Sequence, residues 1–181
     1  LPAYLAVFFF RGNSICTKYG FKLETAQLGE WPSEDQKFVL AEEVIEVGEQ
    51  LINRFRQDLR PFNIGYVFKQ KAPKKEGNLV LGQVKTESEL QKVLHGYDAI
   101  VLISYDTWEE ASDDQKFRLV YHELQHLAVD PEKGKIGTID HEVMEFSQVI
   151  EVFGPGCMAD VNFFHAYQKF QESNYSLLKN S

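Results

Sequence analysis

Five histidines occur in this 181-residue chain, and two of them stand in a pattern that can do chemistry. The string Tyr121-His122-Glu123-Leu124-Gln125-His126 reads H-E-x-x-H. Residues four apart share one face of a helix, so His122 and His126 can aim their imidazoles at a single point, as a tetrahedral zinc ion requires of two nitrogen ligands. Glu123 is rotated by about 100° from His122 and so falls beside the metal rather than on it. There it can act as general base toward a water activated by zinc and pass the proton to a leaving amine. A catalytic zinc takes three protein ligands and keeps one position open. His141, beyond a Gly-containing loop, is the first candidate for the third ligand. Glu145 shares its helical face one turn on, and Glu142 and Asp140 are further alternatives. His95, just before Gly96, and His165, in a late amphipathic stretch, read as structural.

The elements that must position these residues follow from periodicity and caps. Ser112 with Gln115 forms a capping box, Asp113 and Asp114 suit the positive end of a helix dipole, and the helix so opened is expected to run to about Val129 before Asp130-Pro131. Phe117, Val120, Leu124, Leu127 and Ala128 give it an apolar anchor. A following helix is expected from about His141, with Asp140 as N-cap and Gly154 as C-cap, then a last one over roughly Met158 to Tyr175. Upstream, Ser33 and Gln36 predict a helix after Pro32 that carries Phe38, Val44, Val47, Leu51 and Phe55 at helical spacing up to Pro61. Asn63 to Lys69, Leu79 to Thr86 and Ala99 to Tyr105 read as three strands of one sheet. The first two should form a hairpin around a Lys/Pro/Gly turn, and Ser88 to Leu94 a short helix ended by Gly96. Apolar Leu1 to Phe10 reads as a buried strand, too short to span a bilayer.

Net charge is −8, which argues against a protein built to hold nucleic-acid phosphates. The basic stretch Lys69, Lys71, Lys74 and Lys75 reads as a solvated hairpin tip. Cys16 and Cys157 lack the spacing of a zinc ribbon or a disulfide scaffold, so a reduced, cytoplasmic protein is expected. No repeat or linker divides the chain, and residues 1–181 are expected to form one α+β domain.

From about Glu42 to Gly156 the order of these pieces resembles the putative phage metallopeptidases, a family within the wider zincin group. The resemblance is carried by Asn53-Arg54-Phe55, Gly65-Tyr66-Val67-Phe68, Tyr97 to Val101 before Trp108, the Asp114-Gln115 helix start, His122 to His126, and His141 to Phe146 with Val152-Phe153-Gly154. It implies a zincin-like fold, a small three-stranded sheet packed with the zinc helix and further helices. It also implies a zinc peptidase acting on protein or peptide in a phage's host cell, and it supports His141 as third ligand. The chain departs from the family pattern at Tyr121, where Asp is frequent, and at Gln125, where Cys is frequent. A looser similarity to SprT-like proteases, which act on DNA-associated proteins, would turn the lysines toward nucleic acid. A non-catalytic metal-containing binding or regulatory module and a zinc hydrolase of another bond are the remaining alternatives; Glu123 speaks against the former. Tyr97, Tyr105 and Tyr121 are the phenols considered for stabilising an oxyanion.

Overall fold

A computed structural model describes residues 14–75, 78–140 and 147–153 of the chain. In chain order the elements are α1 (Ile15–Tyr19), β1 (Phe38–Leu40), α2 (Glu42–Phe55), a 3₁₀ turn at Gln57–Leu59, β2 (Ile64–Lys69), β3 (Lys74–Lys75), β4 (Asn78–Leu79) and β5 (Gly82–Thr86). They continue with α3 (Glu89–His95), β6 (Ala99–Ser104), α4 (Tyr105–Glu110), α5 (Asp113–Gln125), β7 (Leu127–Asp130), β8 (Lys135–Thr138) and α6 (Ser147–Phe153). The class is α+β. Among the described residues no helix is long and apolar enough to cross a membrane.

The main sheet has four strands in the order β1-β2-β6-β5, not the three expected. β2 and β6 run parallel, while β1 and β5 pair antiparallel at the two edges. The hairpin expected between the first two segments, β2 and β5, does not form, because β6 lies between them. β6 reads Ala-Ile-Val-Leu-Ile without interruption, the pattern of a central strand, and it takes partners on both sides. The lysine-rich turn does close a hairpin, but a local one in which Lys74 pairs with Leu79 and Lys75 with Asn78.

The extra strand comes from residues expected to start a helix. Ser33 and Gln36 form a turn, with the Gln36 N–H bonded to the Ser33 carbonyl at 3.1 Å. Phe38, Val39 and Leu40 then pair with Lys69, Phe68 and Val67. A β-rich tripeptide that completes a sheet edge gains a ladder that a local capping box cannot match. α2 therefore begins at Glu42, with Glu42 and Glu43 in its first turn. The strand expected through Tyr105 stops at Ser104, and Tyr105 opens α4.

The core lies between one sheet face and the two long helices. Tyr66, Phe68, Ala99, Val101 and Ile103 point from the sheet toward Val44, Val47 and Leu51 of α2 and Phe117, Val120 and Leu124 of α5, with Trp108 between. Gly48 is required here, since the Tyr66 ring lies where a Cβ would stand. The short α3 forms as expected and ends at a left-handed Gly96; it also carries a complete Ser88–Gln91 capping box, which was not among the expectations.

The N-terminal segment is tied down by carboxylates. Asp114 accepts hydrogen bonds from Ser14 Oγ at 2.9 Å, Cys16 N at 2.9 Å and Ile15 N at 3.1 Å, which anchors α1 to the start of α5. Partial burial opposes the charged form of Asp114, but these donors outweigh it and hold the carboxyl below its usual range. A carboxyl with a depressed folded-state pKa contributes stability above its unfolded value, and that contribution is lost as pH falls through the folded value. Asp114→Asn should therefore lower the melting temperature at neutral pH, and the gap to wild type should close below about pH 4. Melting curves of both proteins from pH 7 to pH 2 provide the check; a gap independent of pH would exclude the charged anchor.

Candidate active site

α5 carries its side chains in three directions. Its capping box is complete, with Ser112 N donating to Gln115 Oε1 at 2.8 Å and Gln115 N to Ser112 Oγ at 3.4 Å. Phe117, Val120, Tyr121 and Leu124 face the core. Glu123 turns toward β5 and is only 4% exposed. Its carboxylate lies over Gly82 so closely that a Cβ there would collide with it. His122 and His126 are half-buried on the third side.

A charged cluster that sequence reasoning missed ties this helix to its neighbours. Glu43 of α2 and Lys116 of α5 are each 2% exposed. Glu43 Oε2 accepts from Trp108 Nε1 at 2.9 Å, and Oε1 accepts from Leu28 N at 3.0 Å. Lys116 Nζ stands 3.9 Å from Glu43 Oε2 and 5.2 Å from the centre of the Trp108 ring. The cation thus meets both a carboxylate and an aromatic face where water is excluded. Spacing alone could have suggested only that Lys116 sits next to the core stripe.

The helix ends four residues before the expected stop. A continuing helix would offer the Leu124 carbonyl to Ala128 N–H. Arg56 takes it instead, donating from Nη1 to Leu124 O and from Nη2 to Leu127 O, the latter at 2.6 Å. The same guanidinium is held by Asp58 at 2.8 and 3.0 Å. From Leu127 the chain leaves as β7, turns where Asp130 Oδ1 accepts from Glu132 N at 3.0 Å and Lys133 N at 3.1 Å, passes Gly134 at φ 60°, and returns as β8. Val129, expected to be helical, pairs with Ile136.

The returning strand fixes His126. Ile139 N donates to His126 O at 2.8 Å, and His126 Nδ1 is 2.8 Å from Ile139 O. A carbonyl can only accept, so Nδ1 carries the hydrogen and the neutral ring keeps its lone pair on Nε2. A hydrogen bond of this kind from the second ring nitrogen is what fixes the tautomer and tilt of histidines that bind metals in general.

The separation of the two rings equals the one expected of two imidazoles on a tetrahedral ion. A nitrogen about 2.1 Å from zinc puts its ring centre about 3.2 Å from the ion, so two rings at the tetrahedral angle have centres about 5.2 Å apart. The His122 and His126 ring centres are 5.2 Å apart, inclined at 73°. Among the described residues no group of three or more His, Cys, Asp or Glu side chains is arranged to hold a metal. His141, Glu142 and Glu145 lie outside the described residues, and Asp140 is exposed directly after Ile139.

The other candidates are placed elsewhere. Tyr105 OH donates to Gly29 O at 2.7 Å. Tyr97 stands over Gly65. Tyr121 packs on Phe55 with ring centres 5.4 Å apart, and burial pushes its phenol up to about 12. His95 Nδ1 accepts from Tyr97 N at 3.2 Å, which leaves Nε2 to donate to Glu87 Oε2 at 3.2 Å, the structural role expected.

The family model described as Putative phage metallopeptidase matches residues 36–172, about three-quarters of the chain. The chain belongs to this family. No curated protein and no solved structure gives a match. Membership of a metallopeptidase family implies a metal cofactor and a protein or peptide substrate. Within the phage metallopeptidase match fall α2, Arg56, the whole main sheet, α5 and the β7–β8 hairpin, whereas α1 and the segment up to residue 35 lie before it.

The contact between Glu123 and Gly82 is open to measurement. Gly82→Ala should cost about 1–3 kcal/mol through overpacking. Glu123→Ala in the same chain should recover much of that, since contacting residues are coupled. Denaturant unfolding of the two single variants and the double variant gives the coupling; strict additivity would mean the carboxylate does not lie over the strand.

Proposed function

We propose that the chain is a zincin-like zinc metallopeptidase, with His122 and His126 as two ligands, His141 as the third and Glu123 as general base. The observation that carries this reading is the imidazole pair at tetrahedral separation, with a buried Glu123 on the same helix one residue after His122. Bound there, zinc would polarise the scissile carbonyl and make water acidic near neutral pH. Glu123, held between α5 and Gly82, takes the proton of the attacking water and delivers it to the leaving amine. His126 keeps Nε2 directed at the metal because Ile139 occupies Nδ1. β5 is the sheet edge beside Glu123, so an extended peptide added along it would bring its backbone past that carboxylate.

The hairpin supports His141 over Glu145. Ile139 is bonded to His126 through both backbone and ring. His141 follows that anchored residue by two positions in sequence and Glu145 by six. Three imidazoles would also leave the full charge of the ion to act on water, where a carboxylate ligand would reduce it.

Protein purified without chelator should hold one zinc per chain, and His122→Ala, His126→Ala and His141→Ala should each lose most of it. Metal analysis decides this: zinc kept in His141→Ala but lost from Glu145→Ala would transfer the third position to Glu145. Glu123→Gln should keep its zinc and fold while turnover of a peptide substrate falls by about 10²–10⁴ or more. Undiminished turnover in the zinc-loaded variant would remove Glu123 from the reaction.

A further inference from the structure

The end of α5 is set by a residue that is distant in sequence and does not touch the metal face. The last carbonyls of a helix have no donors within it and must be satisfied from outside. For α5 the donor is Arg56, whose side chain is 11% exposed. Its fork reaches Leu124 O and Leu127 O together, on either side of His126, and Asp58 holds it with two further hydrogen bonds. A planar guanidinium can bridge two carbonyls in fixed directions, which an ammonium cannot.

We infer that Arg56 is a positioning residue for the metal centre, acting through His126; this rests on the reading of His122 and His126 as ligands. By donating to the Leu124 carbonyl, Arg56 satisfies it without the Ala128 N–H and so stabilises the stop at His126. By taking the Leu127 carbonyl, it fixes the first residue of β7 in the direction that starts the hairpin. The hairpin then brings Ile139 back to bond His126 O and His126 Nδ1. Without the fork, the apolar run Leu127-Ala128-Val129 is free to extend the helix. Ile139 would then lose its register with His126, and the imidazole would lose the bond that fixes its tautomer and tilt. Arg56 also places a positive charge at the negative end of the helix dipole, which favours this stop.

The test uses the full chain with Arg56→Ala and Arg56→Lys, and His122→Ala as a metal-site control. Two readouts are taken: hydrogen exchange of the Ile139 amide in metal-free protein, and zinc affinity together with the visible spectrum of the Co²⁺-substituted protein. The expected result for Arg56→Ala is faster exchange at Ile139, zinc binding weakened by about 10- to 100-fold, as for other groups that orient a ligand, and an altered Co²⁺ spectrum. Arg56→Lys, which keeps the charge but not the fork, should fold even if the alanine variant does not. It should show the same changes to a smaller degree. Wild-type exchange at Ile139 and wild-type zinc affinity in Arg56→Lys and Arg56→Ala would overturn the inference. If His122→Ala and wild type bind zinc equally poorly while Ile139 exchange still responds to Arg56, the metal reading fails and the positioning of His126 by Arg56 stands.

Discussion

The terminal carbonyls of α5 impose the constraint on which the candidate site depends. A helix that carries a motif at its C-terminal end must stop immediately after the second histidine if the chain is to fold back onto it. Stopping leaves carbonyls without donors, and water is a poor substitute where Leu124 is fully buried. Arg56 meets that demand from the end of α2, so the packing of α2 against α5 and the geometry at His126 are one problem solved together. Asp58 completes it by keeping the guanidinium in its plane.

The other side of α5 is governed by what charged groups need when they are buried. Glu43 and Lys116 lie deep between α2, α4 and α5, and neither would be tolerated alone. Trp108 and the Leu28 amide supply donors to the Glu43 carboxylate, and Lys116 supplies the opposite charge. Glu123 is buried against a strand whose residue is glycine, so its carboxylate has room where any other residue would fill the space. The helix is thus held by polar groups on two sides and by Phe117, Val120 and Leu124 between them. Rotation about its axis would break all of these at once.

The segment before residue 36 falls outside the family match yet is joined to it in a regular way. Glu43, Glu46 and Gln50 occupy one face of α2, and they accept the backbone N–H groups of Leu28, of Glu24 and Thr25, and of Lys22 in turn. The segment therefore runs antiparallel to α2, hydrogen bonded to helix side chains rather than to another strand. Phe21 stacks on Phe117 with ring centres 4.7 Å apart, which continues the core outward over the α2–α5 seam.

Local signals determined a good part of this protein. The capping boxes at Ser88 and Ser112 and the H-E-x-x-H spacing depend on residues a few positions apart, and the structure contains both boxes and brings His122 and His126 together as that spacing predicts. His141, Glu142 and Glu145, weighed from the sequence as a third ligand, lie outside the described residues. Tertiary structure decided what local signals could not. Ser33 and Gln36 satisfy the capping pattern, yet the next residues gain more by closing a sheet edge against β2. The apolar run after His126 satisfies helical periodicity, yet Arg56, far away in sequence, takes the carbonyl that the next helical bond requires. The pairing of β6 between β2 and β5, the place of Gly82 under Glu123 and the return of Ile139 to His126 have the same origin. Each is settled by which distant donor, acceptor or surface arrives, and a period read along the chain carries no record of that.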